Sequence, residues 1–257
     1  MAFPVSIQGS PGFDKQMTSG KKHRLGTRME FGDGRVFYYG LSSEAITAGK
    51  VCMSGAVVAG VHHAIDMVVP AAVAAGKNRI VVTNENTAIT GTGKFTGDYT
   101  TAGTYEDGYV FVNDSDGAGQ IWQIMDHSTA ATTGAITIDF YPNDTVRTAL
   151  TTSSEIGLHR NRMATVDIWD ADSISGSVAG VPTCDQSSGY YGWYQTLGFA
   201  AVEVQGTVVI GKNVMTADND GRAIVMADDS SAEHLIGTVL NVSAATQYSL
   251  VDLQIRA

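Results

Sequence analysis

The feature that most constrains the fold of this chain is the frequent interruption of short β-forming runs by glycine. The 257-residue sequence contains 29 glycines and only 5 prolines. Glycine is disfavoured inside helices and strands and is preferred in turns that need a positive φ. Runs rich in Val, Ile, Thr and Tyr between such turns predict many short strands. The glycines show no three-residue period, which excludes a collagen-like chain.

The β-forming runs follow one another with almost no helical pattern between them. The predicted strands are Arg35–Tyr39, Arg79–Thr83, Tyr109–Val112, Gly119–Met125, Ala135–Phe140, Thr165–Trp169, Gly192–Thr196, Ala200–Val204, Ala223–Met226, Leu235–Leu240 and Leu250–Ile255. The best helix candidate is the short segment Pro142–Leu150, with Asp144 as its N-cap. We therefore predict a mainly β protein, an antiparallel β-sandwich or barrel with long loops and an extended N-terminal arm.

Changes in pattern along the chain suggest three regions. Residues 1–30 show neither a helical nor a strand period, and we predict an extended arm that is ordered only where it lies on something. Residues 31–188 read as a β domain with long loops, including a Ser- and Gly-rich loop at Asp172–Ser188. Residues 189–257 read as a C-terminal β-rich domain or subdomain.

Two segments of similar sequence occur in the two halves of the chain. Ile46–Met53 resembles Val208–Met215, and Asp33–Val36 resembles Asp220–Ala223. The order of the two pairs is swapped, so they do not form a tandem repeat. They indicate that both halves use the same turn chemistry.

The charge balance limits the partners of this protein. With 16 basic and 26 acidic residues, the formal net charge is −10. An acidic chain is a poor candidate for nucleic-acid binding, which needs Lys and Arg to displace phosphate counterions. No run of about 18 apolar residues occurs, so we expect no membrane-spanning helix and no membrane partner. The absence of an export signal pattern leads us to expect that the protein is made in the cytoplasm.

One basic cluster stands out against this acidic background. It consists of Lys21, Lys22, His23, Arg24 and Arg28. Two interpretations stay open: a solvated arm, or an arm that docks on an acidic partner.

Motifs for catalysis, metals and cofactors are lacking, so we expect a protein without catalytic residues, metal or cofactor. The sequence contains no G-x-S-x-G string and no complete P-loop. Asn113–Gly117 and Asp218–Gly221 resemble fragments of a calcium loop, but Asp, Asn and Gly are also the residues of tight turns. His62 and His63 have no metal-binding context, and Cys52 and Cys184 are expected to be small buried residues. A hydrolase with carboxylates paired only in space stays an alternative that no motif favours.

An aromatic cluster near the start of the C-terminal region has three possible roles. Tyr190, Tyr191, Trp193 and Tyr194 are suited to a carbohydrate platform, a protein interface or the core of a sheet. Together with the basic cluster, it gives the predicted partner-binding residues: Lys21, Lys22, Arg24, Arg28, Tyr191 and Trp193.

The C-terminal third carries a family resemblance. The run Tyr191-Gly192-Trp193-Tyr194-Gln195-Thr196-Leu197-Gly198, the turn Asp220-Gly221, Ile236-Gly237-Thr238-Val239 and the final Val251–Ile255 occur in the order found in head decoration (cement) and minor head proteins of tailed bacteriophages. Gly26–Tyr39 resembles the N-terminal part of that group. The resemblance implies a virion protein on the capsid exterior, often a homotrimer, that binds the major capsid protein and joins neighbouring capsomers. The basic arm would then contact an acidic patch of the capsid. The alternative is a virion fibre or receptor- and glycan-binding protein.

Overall fold

The structure, a computed structural model, describes residues 6–55, 63–83, 103–129, 135–171, 176–217, 220–226 and 234–255. These residues form β-strands and one 3₁₀ turn, Phe13–Lys15, with no α-helix among them. The strands are β1 Ser6–Gln8, β2 Arg28–Glu30, β3 Val36–Leu41, β4 Cys52–Ser54, β5 His63–Val68, β6 Arg79–Thr83, β7 Tyr109–Asp114, β8 Ile121–His127, β9 Ala135–Phe140, β10 Glu155–His159, β11 Val166–Ile168, β12 Val178–Pro182, β13 Tyr191–Glu203, β14 Asn213–Thr216, β15 Ala223–Val225, β16 Leu235–Val239 and β17 Tyr248–Gln254. The predicted mainly β fold is confirmed. Within the described ranges, no helix is long and apolar enough to span a membrane.

The chain divides into two compact units. The sheet unit comprises Met1–Ala56 and Arg162–Ala257, and the barrel unit comprises Val57–Asn161. This division does not follow the predicted boundaries after residues 30 and 188. It arises because β3, near the start of the chain, pairs with β13, which begins at Tyr191.

The barrel unit is a closed barrel of six strands in the order β10-β5-β6-β9-β8-β7, with β7 returning to pair with β10. Alternate side chains of its strands point inward, as in β9, where Ile136, Ile138 and Phe140 are buried. Trp122 stacks on Phe140 with ring centroids 4.8 Å apart. The barrel therefore has a filled hydrophobic core of its own.

The sheet unit is organised around the long strand β13. The main path of its sheet runs β1-β2-β3-β13-β17-β16-β14-β15, and β4, β11 and β12 branch from it. All pairings are antiparallel except that of β1 with β2. The buried side chains of β13 and β17, including Val202, Val251 and Leu253, supply much of the core between these strands. The sequence predicts two strands within residues 192–204, but the structure has one continuous strand there. The pairing continues through Gly198, which has a φ of 79°.

The predicted N-terminal arm lies on the sheet unit's own sheet. Within residues 6–30, β1 pairs with β2, and β2 pairs with β3. Met29 is fully buried and Leu25 is 8% exposed, so this segment contributes to the core. Residues 1–5 lie outside the described part. An experiment that deletes residues 1–30 would therefore remove two strands as well as the basic cluster.

Two local predictions are corrected by the structure. Pro142–Leu150 is not a helix: Asn143 has a φ of 74°, and Val146 N donates to the Lys77 carbonyl at 2.8 Å while Val146 and Leu150 fill the barrel core. The predicted loop Asp172–Ser188 contains β12, whose five residues are all buried. Residues 172–175 of that segment lie outside the described ranges.

A recurring loop geometry, here called the turn module, explains the similarity between Ile46–Met53 and Val208–Met215. In each module an isolated β-bridge residue is followed, three positions later, by a residue with positive φ in a tight turn: Gly49, Gly76, Gly189, Gly211 and Thr246. Four of the five modules bridge each other in pairs, Ile46 with Gln186 and Val208 with Ser243, whereas Val73 bridges Leu150, which is not part of a module. In the first pair, Gly49 N donates to the Pro182 carbonyl at 2.9 Å and Gly189 N donates to the Ser42 carbonyl at 2.8 Å. The turn module thus occurs in both units.

Candidate functional site

The fold brings the predicted basic and aromatic residues together. Strand β3 lies between β2 and β13, so Arg28 is paired with Tyr38 and Trp193 is paired with Tyr39. A separate bridge joins Thr18 to Tyr191. Residues more than 160 positions apart in sequence therefore form one surface region. We call Lys21, Lys22, Arg24 and Arg28 the basic segment.

Aromatic rings form the support beneath this segment. The Tyr39 ring stacks on Tyr191 with centroids 5.7 Å apart and lies 5.0 Å from the Trp193 ring. The imidazole of His23 meets Tyr39 edge-on at 5.1 Å and Trp193 at 5.4 Å. Tyr39 is only 3% exposed and Trp193 only 4%. Trp193 is therefore part of the core, and its predicted role as a direct partner contact is not what the structure favours.

The backbone of the basic segment is fixed to the same strand. Lys22 N donates to the Tyr39 hydroxyl oxygen at 3.0 Å. Gly26 N donates to the Tyr39 carbonyl at 2.8 Å, and Tyr39 N donates to the Thr27 carbonyl at 3.0 Å. The Thr27 hydroxyl donates to the Arg24 carbonyl at 2.7 Å, which closes the turn between them. These hydrogen bonds fix the backbone of the basic segment against β3.

The side chains of the basic segment differ in exposure. Lys22 and Arg24 are exposed, whereas Lys21 and Arg28 are half-buried. Arg28 forms an ion pair with Glu30, which offsets its charge. Lys22 and Arg24 are therefore the two cations of the segment that are most exposed to solvent.

His23 behaves differently from its basic neighbours. Burial among the aromatic rings lowers its pKa below the ordinary 6.5, because desolvation disfavours the imidazolium. His23 is thus a neutral ring that anchors the segment at neutral pH. The sequence pattern places His23 among the cations, and nothing in it reveals that Tyr39 is the ring on which the segment rests.

The other candidate sites from the sequence are accounted for locally. At Asn113–Gly117, an Asp114 carboxylate oxygen accepts from Ser115 N at 2.6 Å and an Asp116 carboxylate oxygen accepts from the Thr151 hydroxyl at 2.7 Å, as in a turn. Asp218 of the second calcium-like turn lies outside the described residues. His63 on β5 faces His159 on β10, and His62 also lies outside the described residues. No group of three or more metal-ligating side chains converges among the described residues.

The two cysteines are free thiols in different surroundings. Cys52 is fully buried, and burial raises the pKa of its thiol well above the usual value. Cys184 is partly exposed and accepts a hydrogen bond from the Gln186 amide at 3.2 Å. The expectation of a small buried residue is therefore met in full only by Cys52.

Comparison with known proteins gives a weak structural likeness. No family model matches the chain, and no curated protein sequence matches it. Among solved structures, the chain is similar to the head fiber gp8.5 N base of bacteriophage phi29. The two are 16% identical over 35% of this chain and 71% of the phage chain, with a TM-score of 0.28. A likeness of this size carries no argument for a shared fold or role.

Proposed function

We propose that this protein is a non-enzymatic structural protein of a tailed-phage virion that binds the outside of the capsid and stabilises contacts between capsomers. The sequence resemblance to head decoration proteins suggests this role. The observation that carries the proposal is the basic segment, which presents Lys22 and Arg24 from a fixed backbone on an aromatic support. In a chain of net charge −10, such a cluster is a local exception.

The proposed partner of the basic segment is an acidic patch on the major capsid protein. Exposed cations attract an acidic surface and orient the approach more than they add to affinity. Because the segment is fixed to β3, little conformational entropy is lost when it docks, which favours binding. The same fixed β units suit a protein that must resist pressure across capsomer boundaries, where many copies each bury a small area. The remaining acidic surface disfavours binding to packaged DNA.

The alternative role in glycan binding gains little from the aromatic cluster. Trp193 and Tyr39 are buried beneath the basic segment, and Tyr191 is partly covered by stacking on Tyr39. A carbohydrate platform needs an exposed ring face. At this place in the fold, the rings instead support the segment above them.

The test is binding to purified, expanded phage heads, measured by co-sedimentation and gel quantification. We expect saturable binding by the wild-type protein, which weakens as salt is raised because exposed charges are screened. The double variant K22E/R24E should lose about tenfold or more in affinity, since it reverses both exposed charges.

The matched control is K77E/K212E, which reverses two exposed lysines elsewhere on the chain. This control has the same net charge as K22E/R24E and should bind like the wild type. Equal loss in both variants would show that only net charge matters. Unchanged binding by K22E/R24E would contradict the role of the basic segment.

A further inference from the structure

The outer side of the sheet unit carries large apolar residues that no described element covers. We call Leu197, Phe199, Leu240 and Leu250 the apolar face. They are 43%, 58%, 36% and 41% exposed. On the opposite side of the same strands, Ala200, Val202 and Val251 are buried in the core.

Strand register shows that these side chains are neighbours. In the pairing of β13 with β17, Ala201 is opposite Leu250 and Phe199 is opposite Asp252. Leu240 N donates to the Leu250 carbonyl at 2.8 Å, so Leu240 is adjacent across the next strand. Side chains at alternate positions share one side of a sheet. Phe199, Leu240 and Leu250 therefore form a continuous surface.

A solvent-facing side of an antiparallel sheet is ordinarily polar. Contiguous exposed apolar surface rimmed by polar groups marks an interaction site. The charged group within this surface is Asp252, which forms no ion pair with any of the described residues. The nearby carboxylate of Glu203 is already paired with Lys50 at 2.9 Å. A suitable partner surface is therefore apolar and carries a cation.

The same unit presents a second surface of that chemistry. Phe13, Met17 and Tyr190 are 41%, 36% and 37% exposed. The Met17 sulfur accepts from Ser187 N at 3.1 Å, and Tyr190 N donates to the Ser187 carbonyl at 3.1 Å, so both residues contact the turn at Ser187.

A lysine accompanies this second surface. Lys15 lies two positions after Phe13 in the 3₁₀ turn. It is exposed and forms no ion pair within the described ranges. Asp185, the nearby acid, accepts from Ala48 N at 2.9 Å. We call Phe13, Lys15, Met17 and Tyr190 the lysine-flanked patch.

We propose that the apolar face of one copy docks on the lysine-flanked patch of a second copy of this chain. The two surfaces match in polarity and are opposite in charge, with Asp252 on one and Lys15 on the other. Docking two apolar faces on each other would instead bring two Asp252 carboxylates into one interface. Both surfaces are exposed in the single chain, so neither covers the other there.

Contact between two different surfaces is heterologous, and such a contact closes into a ring when the rotation between copies permits. The inference does not depend on the proposed function, because self-association is measured without a phage head.

The experiment measures the mass of the full-length protein by light scattering coupled to size exclusion. Wild-type protein should be oligomeric. The variants F199S/L250S and F13S/M17S each remove one surface and should be monomeric. The control Y109S/I121S replaces two exposed residues of the barrel, 44% and 59% exposed, and should keep the wild-type mass.

Mixing the two surface variants gives the sharper result. Each retains the surface that the other lacks, so an equimolar mixture should form a 1:1 dimer that cannot close into a ring. The inference would be overturned if the wild-type protein were monomeric or if either surface variant kept the wild-type mass. It would also be overturned if the barrel control lost mass or if the mixture formed no dimer. Circular dichroism checks folding, and the milder F199T and L250T replace any variant that unfolds. A monomer that still binds phage heads would overturn this inference alone.

Discussion

At the scale of single residues, His23 shows how its surroundings can change the role of a side chain. In the sequence it stands between Lys22 and Arg24 and adds to a basic cluster. In the structure its ring packs against Tyr39 and Trp193, and burial lowers its pKa. The segment therefore combines exposed cations with a neutral aromatic anchor.

The lowered pKa of His23 predicts a pH dependence of stability. Above the unfolded value of about 6.5, the ring is neutral in both states and its contribution is fully present. As the pH falls through the folded pKa, the unfolded state binds a proton more readily, and this contribution is lost. One full pKa unit is worth about 1.4 kcal/mol, and the effect should be well below that because the ring is partly exposed.

The measurement is urea unfolding between pH 5 and 8, a range that brackets the ordinary histidine pKa at about 6.5. The variant His23→Phe keeps an aromatic ring without a titratable group, so its unfolding free energy should fall less than that of the wild type at acidic pH. Parallel pH curves for the two proteins would show that His23 does not titrate differently in the folded state.

At the scale of elements, the turn modules make a quantitative prediction. Gly211 has a φ of 79° and open space around it, so Gly211→Ala should cost about 1–2 kcal/mol from backbone conformation alone. Gly49 has a φ of 78°, and an added Cβ would lie 2.5 Å from the Tyr248 ring and 2.9 Å from the Ala201 carbonyl oxygen. Gly49→Ala should therefore cost more than Gly211→Ala.

Chemical denaturation of the three alanine variants checks this order, with Gly20→Ala as the third. Gly20 has neither a positive φ nor an atom within 4 Å of an added Cβ, and its replacement should be nearly neutral. Equal costs at Gly49 and Gly211 would contradict the close packing of the first module.

The strands also show which elements can be predicted from sequence patterns and which cannot. A run of β-forming residues predicts β6, and alternation of apolar and polar residues predicts β9, both with their observed bounds. It misses β12, where all residues are buried and the alternation disappears. The helix predicted at Pro142–Leu150 fails because its apolar spacing serves a loop that inserts Val146 and Leu150 into the barrel. Tertiary packing overrode local propensity there.

The candidate site was predictable only in part. The charged residues of the basic segment are evident in the sequence, and so are the aromatic residues of β13. Their meeting depends on β3 pairing with both β2 and β13, which no local pattern specifies. The burial of Trp193 follows from the same pairing.

At the scale of the whole molecule, each unit has a hydrophobic core of its own. The barrel unit is inserted between two parts of the sheet unit, and the sequence has no obvious linker at either junction. Our proposals rest on three surfaces of the sheet unit: the basic segment, the apolar face and the lysine-flanked patch. We therefore expect the sheet unit to make the contacts with the capsid and with other copies.

The most direct test of this account is electron cryo-microscopy of expanded phage heads mixed with the wild-type protein. The account predicts density at fixed positions on the outer surface, bridging neighbouring capsomers, with the sheet unit and its basic segment facing the capsid protein. Bare heads at saturating protein, or density confined to the tail, would contradict it.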